Sequence, residues 1–147
     1  AKKLEEIYRE YSKCVCTNYI YTDAIAASLI KYTINSFLAT KVTFFNELNL
    51  LFNKSGTEEN WDNFILAISQ DSRIGNSHMQ VPGHDGRLGF GGACLPKDSN
   101  AFSIYSEEME QPLSLLKKVI KTNNKIRGKY NNKTQRESEQ NIKFKKE

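Results

Sequence analysis

Asp23-Ala24-Ile25-Ala26-Ala27-Ser28-Leu29-Ile30-Lys31-Tyr32-Thr33-Ile34-Asn35-Ser36-Phe37-Leu38-Ala39-Thr40-Lys41-Val42-Thr43-Phe44-Phe45-Asn46-Glu47-Leu48-Asn49-Leu50-Leu51-Phe52-Asn53-Lys54 contains neither glycine nor proline, and the first glycine after it is Gly56. Thr22 or Asp23 can cap a helix at one end and Gly56 can stop it at the other. The stretch therefore predicts one helix of about 30 residues, roughly 45 Å long at 1.5 Å per residue. Its apolar residues, from Ile25 and Leu29 to Leu51 and Phe52, cover more than a narrow stripe. Such a helix is buried on several sides, as the spine of a bundle or at a subunit interface. Lys31, Asn35 and several hydroxyls interrupt it, so it falls short of the roughly 20 apolar residues of a membrane span.

Outward from this helix the pattern stays mainly α, a helical bundle built on one long element. Leu4, Ile7, Tyr8 and Tyr11 have helical spacing and predict a short amphipathic helix. Cys14-Val15-Cys16-Thr17-Asn18-Tyr19-Ile20 is rich in strand formers and reads as a lone strand, with Cys14 and Cys16 on one face. A strand without partners is not stable in water, so residues 1–20 read as the end of a larger domain. Thr57 predicts a cap for a helix through Trp61, Phe64, Ile65 and Ile68. Five of the eight glycines fall between Gly83 and Gly92, a loop whose backbone must be shaped closely. Helices resume from Pro96 or Lys97 to about Met109, and from Pro112 to about Ile126. Residues 129–147 have almost no apolar content and read as a solvated basic tail or linker.

The 147 residues fit one domain of ordinary size. The net charge of +4 is too mild to announce a nucleic-acid binder. It divides unevenly, with 10 basic against 14 acidic residues up to 110 and 11 against 3 beyond. That basic end lacks the interleaved aromatics of a single-strand binder. Three cysteines without a signal segment speak against a disulfide framework and for a reducing, cytoplasmic setting. His78, His84 and Cys94 lack metal-site spacing, and neither a Walker loop nor a strand-led dinucleotide fingerprint is present.

Two places carry chemistry. In Gly91-Gly92-Ala93-Cys94-Leu95-Pro96-Lys97-Asp98 a cysteine stands between a glycine loop and a helix start. The helix dipole and Lys97 both favour a thiolate there, and Asp98 follows one turn later on the same face, where it can act as a base. The same pattern also suits a buried structural cysteine. Lys31 is the only charge between Asp23 and Lys41, and Asn35 lies one turn on. Together they could hold an oxyanion; alternatively Lys31 reaches solvent or pairs with an acid.

Lys31-Tyr32-Thr33-Ile34-Asn35-Ser36-Phe37-Leu38-Ala39-Thr40-Lys41-Val42 with Phe45-Asn46-Glu47-Leu48, then Asp71-Ser72-Arg73-Ile74-Gly75, then Phe90 to Asp98, closely resemble the UDP-glucose/GDP-mannose dehydrogenase family. The resemblance covers about residues 20–127, the family's central helical domain. It implies residues 1–20 as the end of an NAD-binding domain and 21–128 as the dimerising, catalytic domain, which leaves 129–147 as the basic tail or linker read from composition. Members oxidise the C6 alcohol of a nucleotide sugar twice with NAD, through a thiohemiacetal and a thioester. By motif position Cys94 is implied as the nucleophile, Asp98 as the base for water, and Lys31 with Asn35 as the oxyanion partners. Arg73 matches an arginine that reaches the neighbouring subunit's substrate, Phe90 and Gly91 match the loop against the sugar nucleotide, and Lys97 matches a lysine near the cofactor.

The resemblance implies UDP-glucose as substrate, with GDP-mannose and UDP-hexosamine types as alternatives, and a homodimer through the long helix. A non-catalytic helical dimerisation module is the alternative from another class. Ser28 replaces a usual glutamate and Met79 a frequent tyrosine. The NAD fingerprint itself is missing, so the chain alone is expected to be inactive.

Overall fold

The computed structural model describes residues 2–13, 15 and 18–144. They divide into two units, one up to residue 31 and one from 32 onward, the division falling within a single long helix.

In the first unit, α1 spans Lys2–Tyr11. An Arg9–Glu5 ion pair of 2.6 Å links successive turns, and the Tyr21 hydroxyl donates to Glu5. Its stripe of Leu4, Ile7, Tyr8 and Tyr11 is exposed. The strand expected over 14–20 is absent among the described residues. Cys14, Cys16 and Thr17 lie outside the described residues, whereas Val15, Asn18, Tyr19 and Ile20 adopt no strand, and none occurs among the described residues. The sequence supplies no second strand to pair with, which removes the hydrogen bonds a strand needs.

The long helix α2 spans Ala24–Phe52. Asp23 is its cap: one carboxylate oxygen accepts from the backbone N–H of Ile25 and Ala26, at 2.9 Å each. Those bonds, that from Ala26 foremost, hold the carboxyl below its usual range. Inside α2, the hydroxyls of Thr40 and Thr43 donate to carbonyls four residues back, at 2.8 and 2.9 Å, so they add no unmet polar groups. Gly56, at φ 75°, follows the last turn.

The second unit adds α3 (Trp61–Ser69), α4 (Cys94–Glu108), α5 (Ser114–Arg127) and α6 (Gln135–Glu139). Its core gathers Ala39 of α2, Phe90 of the glycine loop and Val119 of α5, with Val42 and Leu95 against them. Ala39 is the hinge of this packing: a fully buried methyl lets the loop's Phe90 seat against α2, and burying that ring contributes about 2–3 kcal/mol. Phe52, Trp61 and Phe64 close the far end, with ring centroids 4.8–5.7 Å apart.

Three sequence expectations are corrected here. The cap of α3 is Asn60, whose side chain accepts from the Asn63 N–H at 2.8 Å; the Thr57 hydroxyl is occupied by a turn to Glu59 N–H. Helix α4 begins at Cys94, so Pro96 sits within its first turn, where a missing N–H costs no helical bond. Finally, residues 129–144 differ from a solvated tail: α6 forms there on a complete capping box of Thr134 and Glu137, and Glu137 and Ile142 are buried. No described helix is long and apolar enough to cross a membrane.

Candidate functional site

Cys94 is the first residue of α4 and is exposed. One turn on, Asp98 is 1% exposed, yet both carboxylate oxygens are engaged. Asn35 Nδ2 donates to Oδ2 at 2.6 Å, and Lys97 Nζ donates to Oδ1 at 2.7 Å. A buried carboxylate needs such partners, since leaving it unpaired costs several kcal/mol. The bond to Asp98 in turn holds the Lys97 ammonium above the usual lysine range. Tyr32 stacks on Phe102 with centroids 6.1 Å apart, a second tie between α2 and α4 beside the Asn35–Asp98 bond. The arrangement places an exposed thiol at a helix start and a buried, doubly held carboxylate one turn further along the same helix.

The glycine loop is shaped from outside. Leu88 N–H donates to the Tyr130 hydroxyl, Gly89 N–H to Asn46 Oδ1, and Gly92 N–H to Glu137 Oε1, at 2.9, 2.9 and 3.2 Å. Asn123 grips Phe90 in both directions, accepting from its N–H at 2.7 Å and donating to its carbonyl at 2.9 Å. A Cβ at Gly91 would stand 1.3 Å from Arg127 Nη2, and one at Gly89 2.5 Å from Asn123 Oδ1. Glycine is thus demanded at both places by side chains packed against the loop. An open cleft of about 810 Å³ borders Phe90 and Gly91 together with His78, His84 and Arg136.

Arg73 sits on the turn after α3, 86% exposed, with Nε and Nη2 on the two oxygens of Asp71 at 2.9 and 2.6 Å. Lys41 of α2 ties this turn down by donating to the carbonyls of Ile74 and Gly75, at 2.8 and 3.3 Å. Met79, where a tyrosine was the family expectation, is buried in the core. Lys31 is exposed on α2 and belongs to the first unit, whereas Asn35, Cys94, Lys97 and Asp98 belong to the second.

NAD does not fit the described residues as a bound group. No strand leads into the glycines, and Gly89 and Gly91 are closed around Asn123, Arg127 and Glu137, leaving no open cradle for a pyrophosphate.

Sequence reasoning missed Lys41, Asn46, Asn123, Arg127, Tyr130 and Glu137. One signal was available: Leu116, Val119, Asn123 and Arg127 share the buried face of α5, so that face ends in two polar residues that require partners.

Residues 25–125 match the model of the UDP-glucose/GDP-mannose dehydrogenase family, central domain. The chain is 36% identical over 124 residues to UDP-glucose 6-dehydrogenase YwqF of Bacillus subtilis, covering 84% of this chain and 26% of that protein. It is 37% identical over 125 residues to a UDP-glucose 6-dehydrogenase of Rickettsia felis, covering 83% and 26%. UDP-glucose 6-dehydrogenase TuaD of Bacillus subtilis is 32% identical over 124 residues, with 84% and 24% covered. The chain spans about a quarter of the length of the curated relatives it matches.

Proposed function

The chain belongs to the UDP-glucose/GDP-mannose dehydrogenase family, and from that premise we propose that it is the central, cysteine-bearing segment of an NAD-dependent nucleotide-sugar 6-dehydrogenase acting on UDP-glucose. The observation that carries this reading is the buried Asp98 carboxylate, held by Asn35 and Lys97 one turn from the exposed Cys94.

In this reading the Cys94 thiolate adds to the C6 aldehyde, forming a C–S bond and an oxyanion. Asn35 stabilises that oxyanion. Asn35 has two amide donors, so one can stay on Asp98 while the other faces substrate. Loss of hydride leaves a thioester. Asp98 accepts a proton from the attacking water, the C–S bond breaks, and the carboxylate departs as the thiolate re-forms. A dinucleotide held by a part of the protein outside this chain would supply the hydride acceptor, and the exposed ammonium of Lys97 would stand near it. Phe90 and Gly91 pack against the sugar nucleotide.

The reading includes a homodimer through α2. Phe37, Phe44 and Leu51 recur at seven-residue spacing and are 67%, 58% and 65% exposed, an apolar row that supports a partner helix. Arg73 then reaches the neighbouring subunit's substrate. The compartment is the cytoplasm, where an exposed thiol stays reduced.

The test is stoichiometry in the protein at the full length of its relatives: two NADH per UDP-glucose consumed supports the reading, and one NADH or none contradicts it.

A further inference from the structure

The glycine loop of residues 83–92 contains no helix or strand: a backbone turn and Asp85 close residues 83–87, and from Leu88 onward side chains from elsewhere in the chain take four of its N–H groups. Two of the four such contacts come from α2 and α5, through Asn46 and Asn123. The other two, Tyr130 on Leu88 and Glu137 on Gly92, come from beyond the family match, which ends at residue 125. We propose that residues 128–144 form a strap that sets the glycine loop for the sugar nucleotide, with Glu137 as its positioning residue, acting through the Gly92 amide and Arg127. The loop's role toward substrate rests on the reading given under Proposed function; the strap's hold on the loop does not.

Glu137 is a hub. One oxygen accepts from Gly92 N–H at 3.2 Å and from Arg127 Nη2 at 2.9 Å; the other accepts from Thr134 N–H at 2.8 Å, the bond that starts α6. Arg127 is shared with Asp85 at the opposite end of the loop, 2.6 Å away, and lies under the Phe144 ring. Arg87 stands 3.8 Å from the second oxygen. A single buried carboxylate therefore joins a helix cap, the last turn of α5 and the residue two before Cys94. Such a network contributes little net stability against an apolar replacement, because two desolvated charges offset their own attraction. What it does fix is geometry: Arg127 and Glu137 fill the space beside Gly91, where a Cβ would displace them both, and Glu137 holds the Gly92 N–H.

The experiment is peptide-resolved hydrogen exchange on the 147-residue chain. Glu137→Gln keeps the shape and removes the charge. Exchange in residues 88–94 is expected to rise about tenfold, the loss expected for a hydrogen bond to a charged group, while peptides in α2 and α4 keep wild-type protection. The exposed Glu139→Gln is the control and changes neither. Unchanged exchange at 88–94 with loosening confined to 134–142 overturns the proposal. If Glu137→Gln does not fold, Thr134→Ala, which loosens the cap and leaves the carboxylate, is read in the same way: faster exchange at 88–94 supports the strap and no change overturns it. A second arm uses the protein at the full length of its relatives, where Glu137→Gln is expected to raise the KM for UDP-glucose about tenfold with kcat within about twofold. A lower kcat at unchanged KM counts against positioning of the loop. A wild-type protein without turnover refutes the dehydrogenase reading instead, and the exchange arm still decides the strap.

Discussion

The side-chain amide of Asn35 donates to Asp98 over 2.6 Å, joining the middle of α2 to the second turn of α4. The bond spans 63 residues of sequence and leaves the carboxylate one turn from Cys94. Replacing Asn35 with Ala removes one partner of a buried charge, so a loss of about 1–3 kcal/mol in unfolding free energy is expected. Urea denaturation of the 147-residue chain measures it; a change below about 0.3 kcal/mol would mean that Asp98 does not depend on Asn35.

At the full length of the relatives, Asp98→Asn is expected to lower kcat by about 10²–10⁴, the usual worth of a positioned base. Mass spectrometry of the quenched Cys94 peptide should then show the sugar nucleotide attached as a thioester. Slow turnover with a bare Cys94 would place the defect before hydrolysis.

Asn123→Ala removes both bonds to Phe90 and leaves a buried N–H and carbonyl unmet. An unfolding cost of about 2–4 kcal/mol follows from two such groups. By contrast, Gly86→Ala meets no neighbour, although Gly86 has φ 71°, and it should cost only about 1–2 kcal/mol of left-handed strain. Gly91→Ala, with Arg127 in its way, should cost more than Gly86→Ala; equal melting temperatures would contradict the packing.

Acid should loosen the loop. Burial pushes the Glu137 carboxyl up, but the N–H groups of Thr134 and Gly92 and the charge of Arg127 outweigh it, leaving the group below its ordinary 4.5. Burial likewise opposes ionisation of Asp85, and Arg127 again wins, leaving that group below 3.8. A folded-state value below the unfolded one means that the unfolded chain binds more protons in acid. The contribution is fully present above the ordinary values and is lost as pH falls through the lower folded-state values. Unfolding free energy should therefore fall below about pH 4.5, and Glu137→Gln should flatten that decline; parallel curves would remove Glu137 as a cause.

Phe37→Glu with Phe44→Glu places charges on the exposed row of α2. Light scattering at micromolar concentration should give a dimer mass for the wild type and a monomer mass for the variant; a monomeric wild type would remove α2 as the interface.

Much of the scaffold was legible because it rests on local rules. Thirty-two residues without glycine or proline and with apolar residues throughout read as helix, and Cys94 and Asp98 fall on one helix face by spacing alone. The Asn35–Asp98 bond was hidden because α2 was read by its own periodicity, which paired Asn35 with Lys31, one turn away, and says nothing of another helix. Asn60 displaced Thr57 as a cap through competition among neighbouring hydroxyls and amides that propensity does not rank. The strap escaped because its polar composition matches that of a solvated tail, and the groups that make burial of Glu137 favourable include Gly92 and Arg127, which lie outside the strap.

The central claim is that Cys94 carries the sugar through its second oxidation. The most direct measurement is uronate formed from UDP-glucose by the Cys94→Ala protein at the full length of its relatives. No uronate, against ready formation by the wild type, is the predicted result; uronate at the wild-type rate would contradict the account.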